Sequence, residues 1–98
     1  MPHVYILRCC DETLYTGATK DLLRRLAQHQ AGLASRYTRA RLPVTLAWSR
    51  RCASWSGALR EEYRIKQLRR EEKEELMRKS EAARRRRRKR SGHQGPRR

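Results

Sequence analysis

Five polar side chains spread over 58 positions, Tyr5, Tyr15, Arg25, His29 and Glu62, have the types needed to hydrolyse a phosphodiester. A carboxylate can hold a hard divalent cation. A guanidinium can donate two parallel hydrogen bonds to phosphate oxygens as charge grows on them. A phenol or an imidazole can orient water and take its proton. Each residue alone has a plainer reading. Strand tyrosines usually pack, a single histidine usually caps or faces solvent, and Arg25 is one of 26 basic side chains.

The local patterns supply an element for each of them. Residues 3–9, HVYILRC, are β-branched and aromatic, fit for a buried strand. Cys10, Asp11 and Glu12 form the turn, and residues 13–17, TLYTG, return as a second strand. If the paired residue numbers sum to an even value, Tyr5 and Tyr15 share one face; a slip of one residue separates them. Asp21 is the expected N-cap and Gly32 the expected stop of a helix with Leu22, Leu23 and Leu26 as its apolar stripe. Arg25 and His29 are four apart and so project from one face of it. Residues 34–42, ASRYTRARL, read as a basic loop offering Arg36, Tyr37, Arg39 and Arg41 to phosphates, ended by Pro43. A third strand follows over 44–49. Ser54 or Ser56 then caps a second helix that runs to about Leu68, and a third spans roughly 70–79.

The second helix holds a carboxylate in an unexpected place. At 100° per residue, Trp55, Ala58, Leu59, Tyr63 and Ile65 define an inward face, with Glu62 near its middle and Glu61 to one side. A carboxylate there is costly unless it is paired or binds a cation. A salt bridge to Lys66 or Arg25 is the structural alternative to a metal site.

The net charge of +16 is unevenly distributed. Residues 1–77 hold 15 basic and 9 acidic side chains, and residues 78–98 hold 11 and one. Such a field attracts nucleic acid, and the tail lacks the apolar face that a lipid interface demands. From Ser80 onward the charge run RRRRRKR and the sequence after it predict a disordered tail over 80–98, beyond a single domain over 1–79. Arg84, Arg85 and Arg86 in that tail are nucleic-acid contacts, as are Lys20, Arg36, Arg39, Arg41 and Lys66 in the domain. Cys9, Cys10 and Cys52 have no metal-knuckle spacing and read as small packed side chains of a reducing compartment. No signal-peptide core or apolar run of transmembrane length is present, so a soluble, cytoplasmic protein is expected, nucleoid-associated when bound to DNA.

In order and spacing, these residues resemble the GIY-YIG nuclease superfamily. The name motifs correspond to His3-Val4-Tyr5 and Tyr15-Thr16-Gly17, with Arg25, His29 and Glu62 following. The phrases LYTGAT, DLLRRLAQHQAG, RYTRAR and ALREEYRIKQL look most like its small single-domain bacterial group. That group is similar to the catalytic domain of structure-specific nucleases that act with a partner protein. The resemblance covers roughly residues 2–78. His3 and Thr16 replace the glycine and isoleucine of the name motifs. Ala18 stands where repair nucleases of the family often carry lysine, and the chain has no asparagine.

The resemblance implies an α+β fold, a small three-stranded antiparallel sheet flanked by about three helices. It implies DNA hydrolysis with one divalent ion, Mg²⁺ or Mn²⁺, held by Glu62, and no organic cofactor. Arg25 would bind the scissile phosphate. Tyr5 would be the leading base for the attacking water and Tyr15 an orienting group, with the two able to exchange roles. His29 would orient water or accept a proton. Nearby positive charge would have to lower the phenol's pKa from about 10. The substrate would be structured, nicked or single-stranded DNA, with RNA and a protein partner left open. The alternative is a module on the same fold that binds DNA or RNA without cutting.

Overall fold

The computed structural model describes the backbone of residues 1–94, with side chains through Ala83 and that of Arg85. The chain divides into two units, the first ending at Leu68 and the second starting at Arg69.

The first unit is built on β1 (His3–Arg8), β2 (Leu14–Thr19) and β3 (Thr45–Arg51), in sheet order β2-β1-β3. Both pairings are antiparallel. The central strand β1 is the most apolar run, and Val4, Tyr5, Ile6 and Leu7 are all buried. Burial on both faces suits such an uninterrupted run. Between β1 and β2, Tyr5 pairs with Gly17 and Leu7 with Tyr15. The sum is even, so Tyr5 and Tyr15 share a face, two residues apart. On that face Tyr5, Leu7, Cys9 and Val44 form a cluster against which Tyr15, Leu22, Leu26 and Leu42 pack. The β1–β3 ladder shifts register between Ile6 and Leu7, leaving Ala47 as the extra residue of β3.

Four helices accompany these strands in the described residues. Helix α1 (Leu22–Gln30) is capped by Asp21, whose carboxylate accepts from the Arg24 N–H. It ends in a Schellman turn: the N–H of Leu33 donates to Gln28 O and that of Gly32 to His29 O. Gly32 has φ +79, which makes glycine the natural residue there. The α1 stripe is Leu22, Leu26 and His29, one turn apart; Leu23 lies beside it and is 79% exposed, not inward as its spacing suggested. The expected loop over 34–42 contains a short helix, α2 (Arg36–Arg39), because Ser35 caps it by accepting from the Thr38 N–H.

Helix α3 (Trp55–Lys66) is capped by Ser54 and packs against β1 and β2. Its buried face runs through Ala58 and Ile65, with Trp55, Glu61 and Glu62 half-buried. Leu59 and Tyr63 are exposed at 42% and 69%, so the face is rotated from the expected one and passes between the two glutamates. The rotation follows from the small Ala58, which lets the helix approach the sheet more closely than Leu59 could.

In the second unit, α4 (Arg70–Gln94) begins where the sequence predicted but continues well past Lys79. Its run of Glu, Lys, Arg and Ala consists of strong helix formers, and exposed pairs such as Arg70–Glu74 and Arg85–Glu81 lie along it. Residues 95–98 of the expected tail, and the side chains of Arg84 and Arg86, lie outside the described residues. No helix among the described residues is long and apolar enough to cross a membrane.

Candidate active site

Tyr5 reaches across the hairpin because its partner is Gly17. A Cβ on Gly17 would lie 2.5 Å from the Tyr5 hydroxyl, so only glycine leaves the ring its place. The hydroxyl then meets His29 Nε2 at 2.8 Å, and the two rings stand edge to face at 5.7 Å. Tyr15 makes a similar edge contact with His29 at 5.2 Å. Strand and helix therefore bring three of the five sequence candidates together around one imidazole.

The other side of that imidazole is hydrogen-bonded as well. His29 Nδ1 lies 2.9 Å from Thr38 Oγ1. Thr38 has acceptors for its own hydrogen on Ser35, the carbonyl at 3.4 Å and the hydroxyl at 3.0 Å. Its lone pairs can take an Nδ1–H, and its hydrogen can go to Nδ1 instead when the Ser35 hydroxyl donates to it. Two tautomers satisfy these distances: with Nδ1–H, Nε2 accepts from the Tyr5 O–H; with Nε2–H, the imidazole donates to the phenol oxygen and Nδ1 accepts from Thr38. Thr38 is fully buried and His29 is 1% exposed, so the chain is shielded from water. Sequence reasoning missed Thr38 and Ser35. The available signal was a serine three residues before a threonine at a helix start.

The charges around Tyr5 are opposed. Burial pushes its phenol well above the ordinary value, and Tyr15 and Glu62 push the same way; Arg25 pulls it down. The positive charge expected to lower this pKa is present, but burial outweighs it. Burial also holds His29 below its ordinary value, and Arg25 adds to that effect. Both shifts favour the neutral forms of the hydrogen-bonded phenol and imidazole, with a guanidinium and a carboxylate near enough to be felt. Among the described residues Arg25 makes no ion pair, so the alternative of an Arg25–Glu62 bridge is not what forms.

Glu62 instead meets Lys66 through Oε2 at 3.1 Å, one of the two partners its position suggested. Glu61 is more fully engaged: Arg50 donates to its Oε2 at 2.6 Å and Arg64 to both oxygens. These donors hold the Glu61 carboxyl below the usual range, Arg64 contributing most. Of the two half-buried glutamates, Glu62 keeps one oxygen without a donor among the described residues and is the one whose charge reaches Tyr5. No group of three or more metal-ligating side chains occurs among the described residues. A single carboxylate with a free oxygen fits a magnesium-type ion, which retains waters and takes further oxygens from substrate phosphate.

The basic candidates divide into free and engaged groups. Arg36 and Arg39 are exposed. Arg41 donates to Asp11 at 3.0 Å and to Tyr37 O at 3.0 Å, and covers the Tyr37 ring at 3.9 Å. It ties the hairpin turn to the end of α2. Tyr37 stacks at 5.9 Å from Tyr15 and extends the aromatic cluster to the surface. Lys20 lies 5.2 Å over the Trp55 ring.

Residues 1–75 match the model of the GIY-YIG catalytic domain. The chain is 54% identical over 70 residues to a UPF0213 protein of Halobacterium salinarum, covering 71% of this chain and 91% of the relative. It is 48% identical over 68 residues to a UPF0213 protein of Oceanobacillus iheyensis, covering 69% and 79%. The solution NMR structure of a UPF0213 protein from Bacillus halodurans is 43% identical, with a TM-score of 0.51 over 78% of this chain and 82% of that one.

Proposed function

The chain belongs to the GIY-YIG catalytic-domain family, and from that membership we propose that it is a divalent-metal-dependent DNA endonuclease whose site is Tyr5, Tyr15, Arg25, His29 and Glu62. The observation that carries the reading is the 2.8 Å contact between the Tyr5 hydroxyl and His29 Nε2, inside a buried chain that ends at Thr38 and Ser35. In the Nδ1–H tautomer Nε2 is free to take the Tyr5 proton, which is the arrangement a proton relay needs.

Glu62 would hold Mg²⁺ or Mn²⁺, which supplies Lewis acidity to the scissile phosphate. The chain's own residues do the rest. Arg25 donates to the non-bridging oxygens, where charge grows as the water attacks. Tyr5 receives the water's proton as it passes its own to His29 Nε2, so the buried phenol need not ionise in advance. The raised Tyr5 pKa is then no obstacle, because the neutral imidazole supplies the basicity. The resulting imidazolium keeps Thr38 as the acceptor for its Nδ1–H. Tyr15, edge-on to His29, limits the ring's rotation and faces the substrate side. Arg36 and Arg39 add phosphate contacts, and the Arg-rich segment 80–98 adds affinity beyond the domain of residues 1–79. Structured, nicked or single-stranded DNA is the substrate class, in a cytoplasmic, repair-type setting.

One contact favours the alternative of a non-catalytic nucleic-acid-binding module: the Lys66–Glu62 pair, which would compete with a metal for the carboxylate. Labelled DNA panels incubated with and without Mn²⁺ separate the two. Metal-dependent cleavage that disappears in Tyr5→Phe and in His29→Ala supports the nuclease; binding without cleavage on every substrate supports the module.

A further inference from the structure

Beside Arg25, and apart from the Tyr5–His29 relay, lies an open cleft of about 390 Å³ lined by Lys20, Asp21, Arg24, Arg25, Gln28 and Trp55. Its volume falls within the range of small-ligand sites, about 300–1,000 Å³. Three of these side chains are cationic and one is acidic. Among the described residues, Lys20, Arg24 and Arg25 form no ion pair. The Asp21 carboxylate accepts from the Arg24 backbone N–H and is thereby occupied as the α1 cap. Asp21, Arg24 and Arg25 come from the start of α1 and Trp55 from the start of α3. Trp55 is half-buried, and the flexible Lys20 side chain lies over its ring at 5.2 Å. Gln28 contributes an amide able to donate and accept.

We infer that this cleft is a subsite for one unpaired nucleotide next to the scissile phosphate, its base stacked on Trp55 and its phosphate held by Lys20 and Arg24. This rests on the nuclease reading only for the position of the scissile phosphate, at Arg25. The chemistry excludes an intact duplex here, because paired bases hide their faces in the stack and leave an indole nothing to stack on. An unpaired base offers its face, and base–aromatic stacking is tolerant of sequence. Lys20, displaced from the indole, moves onto the incoming phosphate, so its contact with Trp55 is exchanged for a stronger one. Gln28 meets the base edge. A substrate with a single-stranded, frayed or flipped nucleotide at the cut fits the cleft; continuous duplex does not.

The test is binding without metal, in EDTA, so that cleavage plays no part. The probes are a short oligothymidylate and a blunt duplex of matched length. Trp55 should be quenched by the single strand. Trp55→Phe should abolish the quench, since the remaining Trp48 is 3% exposed, yet retain affinity. Trp55→Ala should weaken single-strand binding about fivefold to a hundredfold and duplex binding much less. Equal losses on both probes, or unchanged single-strand affinity in folded Trp55→Ala protein, would overturn the subsite. If Trp55→Ala does not fold, the quench decides: its absence in the wild type overturns the proposal. A wild type that quenches but never cleaves in Mn²⁺ keeps the subsite and loses the nuclease. One that cleaves without the Trp55 effects keeps the nuclease and loses the subsite.

Discussion

At Tyr5 and His29, burial sets the protonation states and Arg25 modulates them. Because the imidazole's pKa is held below its ordinary value near 6.5, it stays neutral at pH 7 and can accept the Tyr5 proton. The sign follows: activity is full above about 6.5 and is lost as pH falls through the lower folded-state value. Stability has the same direction, since the unfolded chain takes up the proton first. A pH–rate profile with its acid limb centred below about 6.5 is expected, and a midpoint at or above that value would contradict the burial of His29. Thr38→Val strips His29 Nδ1 of its hydrogen-bond partner and should destabilise the fold by about 1–3 kcal/mol. It should also free the tautomer, lowering the cleavage rate of the still-folded fraction and altering the profile, whereas Thr38→Ser should restore both. Melting curves alongside single-turnover rates distinguish the two effects. Arg25→Lys should keep near-native DNA affinity while cleaving about a hundredfold more slowly, because an ammonium cannot copy the two-donor fork. A rate loss in Arg25→Lys that matched its loss of binding would reduce Arg25 to an ordinary phosphate contact. The contact among Tyr5, Tyr15 and His29 was legible because the hairpin and α1 are strongly patterned elements. Thr38 left only the weak local signal of Ser35 three residues before it, because its contact with His29 arises only when α2 folds against α1.

At the level of elements, the hairpin register and the α1 helix together make the site. The strands, the Asp21 cap and the Gly32 stop were all readable, because turn residues and caps act locally. Helix faces were less so. Leu23, Leu59 and Tyr63 are apolar and suitably spaced, yet they are exposed. Spacing gives a helix an amphipathic axis, but the partner surface decides where on that axis contact falls. Here the small Ala58 turns the α3 face toward Glu61 as well as Glu62. The hairpin offers a sharp test of the geometry. Gly17→Ala puts a methyl 2.5 Å from the Tyr5 hydroxyl, so the phenol must move. Overpacking of this kind costs about 1–3 kcal/mol, and the displaced hydroxyl should lose His29. The variant is expected to fold with a lowered melting temperature and to be nearly inactive. Full activity in Gly17→Ala would mean that the Tyr5 hydroxyl takes no part in the reaction.

Across the whole chain, charge is divided between the family-matching residues 1–75 and a C-terminal segment with little besides cations. Residues 80–98 carry nine basic side chains and one acidic. Each phosphate they neutralise should add about −0.9 to the log–log salt slope on duplex DNA. A chain ending at Lys79 should therefore bind DNA more weakly, with a shallower salt dependence, and still cut at saturating substrate. An unchanged slope would show that the segment does not engage DNA. The extent of α4 was not readable in advance, because like-charge repulsion argues for disorder while the propensities of Arg, Lys and Ala argue for helix. The central claim, that one carboxylate of this chain makes it a metal-dependent nuclease, is tested most directly by single-turnover cleavage in Mn²⁺ with wild type, Glu62→Gln and Glu61→Gln, each checked for folding and for metal-free DNA binding. The expected result is metal-dependent cleavage by the wild type and by Glu61→Gln, and a folded, DNA-binding but inactive Glu62→Gln; normal cutting by Glu62→Gln, or loss of cutting in Glu61→Gln alone, would contradict it.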